Sequence, residues 1–168
     1  MAAGDVKIAY AASSNLTVTA LHSIATSSTF SAGWESALID NSTNKYLDYL
    51  VTAKITVGTT LTAGEIRVHV VAMLDDSTWP DNMDGTESVD SFSDTEQYDA
   101  LARVGAVSAT DTDNSNVYYM GPFSVASLFG SVCPEKFVIF VSHNTGANLA
   151  SSGNQVTIKP VYQTVAAA

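Results

Sequence analysis

A period of two in the placement of apolar side chains is the feature that most constrains the fold of this chain. Between residues 47 and 57 the odd positions hold Leu, Tyr, Val, Ala, Ile and Val, whereas the even positions are mostly polar. Residues 65–74 repeat the pattern, with apolar side chains at every even position. Because successive side chains of a strand point to opposite faces, both segments are predicted to be β-strands buried on one face. The connection 58–64, with a glycine at each end, is predicted to be a loose antiparallel connection.

Shorter strands and little helix are predicted for the rest of the chain. Residues 137–142 are apolar on both faces, which is typical of a central strand, and Pro160 predicts an edge position or a bulge in the last strand. A short helix is predicted at 94–103, with Asp94 as its N-cap, and a helical turn at 124–129. The remaining strands are predicted at 7–11, 15–21, 104–109, 116–120 and 156–165.

These elements predict an all-β fold, an antiparallel β-sandwich or jelly roll with at most one or two short helices. The length of 168 residues fits a single domain that spans residues 1–168. The terminal segments 1–14 and 164–168 consist largely of small side chains and are candidates for extended arms that lie across neighbouring molecules. Frayed ends are the alternative for both.

One stretch, called the acidic segment below (residues 75–99), interrupts the strand pattern. It holds nine acids and no Lys or Arg, and the apolar side chains between the charges predict an elaborated surface loop that packs down at intervals. An EF-hand calcium loop does not fit, because aligning Gly85 with the required glycine puts Pro80 at the first position and Ser91 at the last. A solvated acidic loop is therefore predicted, with a cation or glycan contact left open. The interspersed apolar side chains are Trp79, Met83, Val89, Phe92 and Tyr98.

The charge distribution argues against nucleic acid as a partner. The chain has 17 acids and 7 Lys or Arg, for a net charge of −10, whereas phosphate binding draws on clustered basic residues. Outside the acidic segment 8 acids face 7 bases, so the body is nearly neutral. The 20 Ser and 18 Thr of the whole chain give a surface of short side chains, which lose little rotamer entropy in a contact. This composition favours a protein packed against neighbours, with an extracellular β-domain as the alternative.

No catalytic, cofactor-binding or metal-binding residue is predicted. His22, His69 and His143 lack metal-ligand spacing; His69 is predicted to lie at the surface, and His143 to be half-buried and bonded to backbone. Cys133 has no second cysteine with which to form a disulfide, and no nucleophile motif is present. The longest strongly apolar run, residues 137–141, is too short to span a bilayer, so no membrane partner is expected. The chain is predicted not to be an enzyme, and a small hydrolase that uses a spatial pair of acids is the third-ranked alternative.

Several sequence blocks carry a family resemblance. They are GWESALIDN (33–41), YLDY (46–49), VVAMLDD (70–76), DGTES (84–88), PFSVASLFG (122–130) and FVIFVSHNTG (137–146). In this order they resemble small virion structural proteins of tailed bacteriophages, of the kind that decorate or cement a capsid.

The resemblance implies a jelly-roll-like body, a trimer, and a seat on the outer surface of the capsid lattice. The partners would be the major capsid protein and further copies of the chain, with no cofactor. The location would be the virion exterior, after synthesis in the host cytoplasm. The leading alternative is a tail or head-fibre module that binds a host glycan through the loop around Trp79.

Overall fold

Two antiparallel β-sheets and two short helices make up the fold in the computed structural model, which describes residues 5–165. The prediction of an all-β sandwich with one or two short helices is confirmed. The elements in chain order are β1 (Val6–Tyr10), β2 (Ser14–Asn15), β3 (Ala32–Glu35), β4 (Ile39–Asp40), β5 (Asp48–Thr56), β6 (Gly64–Ala72), β7 (Ser88–Ser91), α1 (Thr95–Leu101), β8 (Arg103–Thr110), β9 (Val117–Ser124), α2 (Val125–Leu128), β10 (Lys136–His143) and β11 (Gln155–Val165).

The strand order places the longest strands in the middle of each sheet. Sheet A runs β1-β11-β5-β9, with the short β2 beside β11. Sheet B runs β7-β3-β10-β6-β8, with β4 beside β10. Strand β10 pairs with β6 over seven residue pairs, so the predicted central position of the 137–142 segment is confirmed.

The main core lies between the two sheets and follows the alternation of the sequence. Strand β5 buries its odd positions from Tyr49 to Ile55, and β6 buries Ile66, Val68 and Val70 on the face opposite. Each fully buried side chain of this size stabilises the fold by roughly 1.5–3 kcal/mol. Trp34 of β3 is completely buried in the same cluster.

A second core covers the other face of sheet B. It joins Val71, Val138 and Phe140 of the sheet to side chains of the acidic segment and its flanks. Sheet B is therefore buried on both faces, which explains why β10 is apolar at both odd and even positions. The remaining members are Phe30, Met83, Phe92, Tyr98 and Ala102.

Three short strands were not predicted, and one predicted strand is mostly loop. Strands β3, β4 and β7 have two to four residues each and are too short to show a period. The predicted strand 15–21 forms only the two-residue β2, after which Leu21 turns into the main core. Helix α1 begins after Asp94, whose carboxylate accepts from Gln97 N at 2.7 Å, as the capping pattern predicts.

Of the two predicted settings for Pro160, the edge position is wrong because β11 has neighbours on both sides, whereas a register irregularity is present: the pairing shifts by one residue, from Tyr10 opposite Val161 to Ser14 opposite Ile158. Pro160 pairs with Tyr49 of β5, and its carbonyl oxygen accepts from Ala11 N at 3.0 Å on the other side. That second side is where β1 has ended and β2 has not begun. The missing N–H of proline therefore points to a gap between two short strands, where no ladder bond is lost.

The segments predicted as arms pair with each other where the structure describes them. Strand β1 pairs antiparallel with the last residues of β11, from Val6 opposite Val165 to Tyr10 opposite Val161. The outermost parts of both predicted arms, residues 1–4 and 166–168, lie outside the described residues.

Candidate functional site

One buried and one partly buried carboxylate, those of Glu35 and Glu87, attach the acidic segment to sheet B. Glu35 of β3 accepts from the backbone N–H groups of Gly85 at 2.7 Å and Asp84 at 3.2 Å. In the opposite direction, Glu87 reaches into the body and accepts from Trp34 Nε1 and Ala20 N, both at 2.7 Å. Hydrogen bonds to a charged acceptor are stronger than neutral ones. The two carboxylates therefore hold the segment down as a layer on the sheet.

The pKa of Glu35 is unusual because of where its side chain lies. Its side chain is fully buried, and burial raises its pKa to about 7. The neighbouring carboxylates Asp90 and Asp84 add to the rise, whereas the N–H groups of Gly85 and Asp84 oppose it. This carboxyl group changes charge near neutral pH.

His69 is fully buried, so the prediction that it lies at the surface is wrong. Its Nδ1 lies 3.2 Å from the carbonyl oxygen of Phe140, which can only accept, so Nδ1 carries the proton. Nε2 then accepts from the hydroxyl of Tyr98 at 2.7 Å, and that hydroxyl accepts from Arg67 at 3.4 Å. Burial, together with a smaller effect of the charge of Arg67, lowers the pKa of His69 to about 4. The polar face of β6 is thus covered by Tyr98 of α1, and the ring nitrogens of His69 have hydrogen-bond partners within the protein.

Two further side chains of types that can act as nucleophiles or metal ligands, His143 and Cys133, have structural roles. His143 is fully buried rather than half-buried, and its ring nitrogens lie 3.0 Å from Thr145 Oγ1 and 3.3 Å from the carbonyl oxygen of Ile24. Burial lowers its pKa. Burial raises the pKa of the Cys133 thiol to about 12, which keeps it protonated and unreactive at neutral pH.

Acids on the outside of the acidic segment mostly accept hydrogen bonds from backbone N–H groups of the same segment. Asp75 accepts from the N–H groups of Ser77 and Thr78, and Asp81 accepts from Ser93 N. Within residues 5–165 no three potential metal-ligating side chains come together. The ring of Trp79 is only partly exposed, because it packs on the second core and lies close to Gly85.

The outer face of sheet A differs from the acidic segment in charge. The outward-facing positions of its strands carry two lysines, Lys54 and Lys159, and one acid, Asp48, whereas Lys7 lies on the other face of β1. Asp48 accepts from two backbone N–H groups, those of Tyr49 and Ala126. The molecule therefore has an anionic layer on sheet B and a slightly cationic sheet A.

An exposed apolar strip lies at the free edge of sheet A; we call it the β1 strip (Val6, Ile8, Tyr10 and Val165). Val6 and Val165 are each 62% exposed, and Ile8 and Tyr10 are each 56% exposed. Strand β1 pairs only with β11 within the described part of the chain, so its other edge has no strand partner there. Exposed edge strands with apolar side chains are typical sites of pairing with another chain.

Sequence reasoning missed both inward-pointing acids, although the sequence holds a signal for one of them. Glu35 stands beside Trp34 in an otherwise small or apolar run, which is an environment that favours burial. Nothing near Glu87 distinguishes it from the eight other acids of the acidic segment. The partners of both carboxylates are distant in sequence, so their roles follow only from the fold.

Neither helix of the described residues is long and apolar enough to cross a membrane. Comparison of the chain with protein-family models, with curated proteins and with solved structures finds no match in any of the three.

Proposed function

We propose that this protein is a non-enzymatic structural protein of a phage virion, which binds the outer surface of the major capsid lattice and stabilises the head. The observation that carries the proposal is the β1 strip, an exposed apolar surface on an unpaired strand edge. Burying apolar area stabilises a contact by about 25 cal/mol per Å². The strip therefore offers both apolar area and backbone hydrogen bonds to a neighbouring subunit.

Self-association into a trimer is part of the same proposal. A strand edge binds another chain through backbone groups, whereas alternate side chains supply specificity. Val6, Ile8 and Tyr10 point to one side of β1 and extend the outer face of sheet A. The same strip can thus contact either a lattice subunit or another copy of the chain.

The charge asymmetry supports an exterior location. Packed DNA repels anionic protein surfaces, and this chain has a net charge of −10. The acids are concentrated on the layer that covers sheet B, away from the β1 strip. A molecule seated through the β1 strip, at one edge of sheet A, would present its anionic layer to solvent.

Rebinding to capsids that lack the protein tests the proposal. We expect the purified wild-type chain to bind such capsids in a copy number proportional to that of the major capsid protein, and to raise their resistance to heat. Val6→Lys places a charge in the β1 strip and should weaken binding about tenfold, through lost apolar burial and the cost of desolvating the ammonium group.

The matched control is Val89→Lys, because Val89 is 60% exposed on β7, the edge strand of the other sheet. This variant should bind capsids like the wild type. A few copies per particle in intact virions, or equal binding by the two lysine variants, would contradict the proposal.

A further inference from the structure

A row of side chains crosses the outer face of sheet A far from the β1 strip. Gln155 of β11 pairs with Lys54 of β5, and Lys54 pairs with Tyr119 of β9. Directly paired residues place their side chains about 5 Å apart on one face. The row forms one wall of a shallow depression of about 270 Å³, called the sheet A cleft here, which is lined by Thr52, Lys54, Tyr119, Gly121, Gln155 and Thr157.

The polar groups of the cleft are held in place before any ligand arrives. Asn15 Oδ1 accepts from Gln155 Nε2 and from Thr157 Oγ1, both at 2.8 Å. This arrangement fixes the amide orientations, and it leaves Gln155 Oε1 and Asn15 Nδ2 without a partner among the described residues. Of these two groups, Gln155 Oε1 belongs to a residue that lines the cleft, so it is an acceptor open to a ligand.

The remaining groups of the cleft are the exposed ring of Tyr119, the ammonium group of Lys54 and the backbone of Gly121. Tyr119 is 77% exposed, the highest value among the large apolar and aromatic side chains. Lys54 has no carboxylate within ion-pair distance in the described part of the chain. Gly121 has φ of +89°, and a Cβ there would lie 2.5 Å from the carbonyl oxygen of Val51, so only glycine fits at this point of the cleft lining.

We propose that the sheet A cleft binds one saccharide residue that carries a carboxylate, as a uronic or sialic acid does. The C–H face of the sugar ring packs on Tyr119, and the carboxylate pairs with Lys54. Ring hydroxyls donate to Gln155 Oε1. Each group of the cleft then meets a complementary group of the sugar.

Size and charge favour such a ligand over an acidic protein surface. The cleft holds about one sugar ring, and a side-chain amide beside an aromatic ring is suited to sugar hydroxyls rather than to a flat protein contact. The net charge of −10 opposes a polyanion, so the ligand carries a single carboxylate near Lys54. This site does not depend on the proposed capsid function, because it uses neither the β1 strip nor a lattice partner.

Titration of the ¹⁵N-labelled full chain by NMR, with galacturonic acid and its neutral counterpart galactose, tests the site. We expect galacturonic acid to bind with a dissociation constant on the order of 1 mM and to shift the amide signals of the cleft, with galactose weaker by about fivefold. N-acetylneuraminic acid serves as the second acidic probe, and a Glu-rich decapeptide as the protein-like one.

Two variants and two matched controls assign the binding to the cleft. Lys54→Gln should remove the preference for galacturonic acid over galactose, and Tyr119→Ala should weaken both sugars about tenfold. Lys159→Gln and Tyr10→Ala alter the other lysine–tyrosine pair of the same sheet, 5.5 Å apart, and should leave both affinities unchanged.

Three results would overturn the inference. The first is no shift with either acidic sugar up to about 50 mM, which is well above the expected dissociation constant. The second is an equal effect of the cleft variants and their controls. The third is tighter binding of the decapeptide than of both acidic sugars, which would assign the cleft to a protein partner.

Discussion

The outer faces of the two sheets begin from the same sequence pattern and end in opposite environments. Strands β5 and β6 both alternate, and both bury one face in the main core. The other face of β5 remains partly exposed to solvent, whereas His69 and Val71 on the other face of β6 are completely buried. The difference arises because the acidic segment covers sheet B and nothing described covers sheet A.

This comparison shows that the most charged part of the chain is also part of its interior. The acidic segment contributes Met83, Phe92 and Tyr98 to the second core, and its acids lie mainly on the outside. Only Glu87 points inward, and it is matched by Glu35 from the body. The segment is thus a third layer of the fold rather than a loop in solvent.

The largest expected effect on stability comes from a substitution in the second core, on the covered face of sheet B. Phe140→Ala removes a fully buried ring that contacts Phe92 and His69, and it should lower the free energy of unfolding by about 3–5 kcal/mol. Urea denaturation followed by tryptophan fluorescence measures this change. The counterpart on sheet A is Tyr119→Ala, which should change stability by less than about 0.5 kcal/mol because the ring is exposed. Similar losses in the two variants would contradict the description of one covered and one open face.

Much of the fold could be predicted because the long strands carry local signals. The period of two identifies β5 and β6, and the doubly apolar run identifies β10 as central. The capping carboxylate of Asp94 identifies the start of α1. Each of these signals lies within about ten residues of the element it predicts.

The environment of the polar face of β6 could not be predicted in the same way. Alternation places His69 on the polar side, but Tyr98, which covers it, lies 29 residues away in sequence. The sheet A cleft has the same difficulty, because Lys54 and Tyr119 become neighbours only through the register of β5 and β9. Register depends on the turns and on the packing of the whole sheet, which no local pattern records.

The second prediction concerns the pH dependence of the covered face. Folded Glu35 keeps its proton up to about pH 7, whereas a solvent-exposed glutamate in the unfolded chain has a pKa of 4.5. Between these values the folded state binds more protons, so the free energy of unfolding falls as pH rises, by up to about 3 kcal/mol. His69 has the opposite effect, because its folded pKa of about 4 lies below the 6.5 of a solvent-exposed histidine. Between pH 4 and 6.5 the unfolded state binds more protons, and stability rises with pH.

Single substitutions separate the effect of Glu35 on the pH dependence of the free energy of unfolding from that of His69. The two effects oppose each other between pH 4.5 and 6.5 in the wild type. Glu35→Gln should leave a free energy of unfolding that rises with pH in this range, with His143 contributing in the same direction. His69→Gln should shift the slope toward a fall relative to the wild type, with His143 still opposing Glu35. Urea denaturation at half-unit pH intervals measures both. A Glu35→Gln profile parallel to that of the wild type would show that Glu35 does not hold its proton near neutrality.

The smallest expected effect tests whether sheet A is open in the isolated protein. Ile8→Thr changes an exposed side chain of an edge strand to another β-branched residue, so the free energy of unfolding of a monomer should change by less than about 0.5 kcal/mol. If copies already associate through the β1 strip at the protein concentration used, the same substitution removes buried apolar area and costs about 1 kcal/mol or more. A dilution series distinguishes the two cases, because association makes stability depend on concentration. A cost that persists at every dilution would show that Ile8 is packed within a single chain, and sheet A would then be covered as sheet B is.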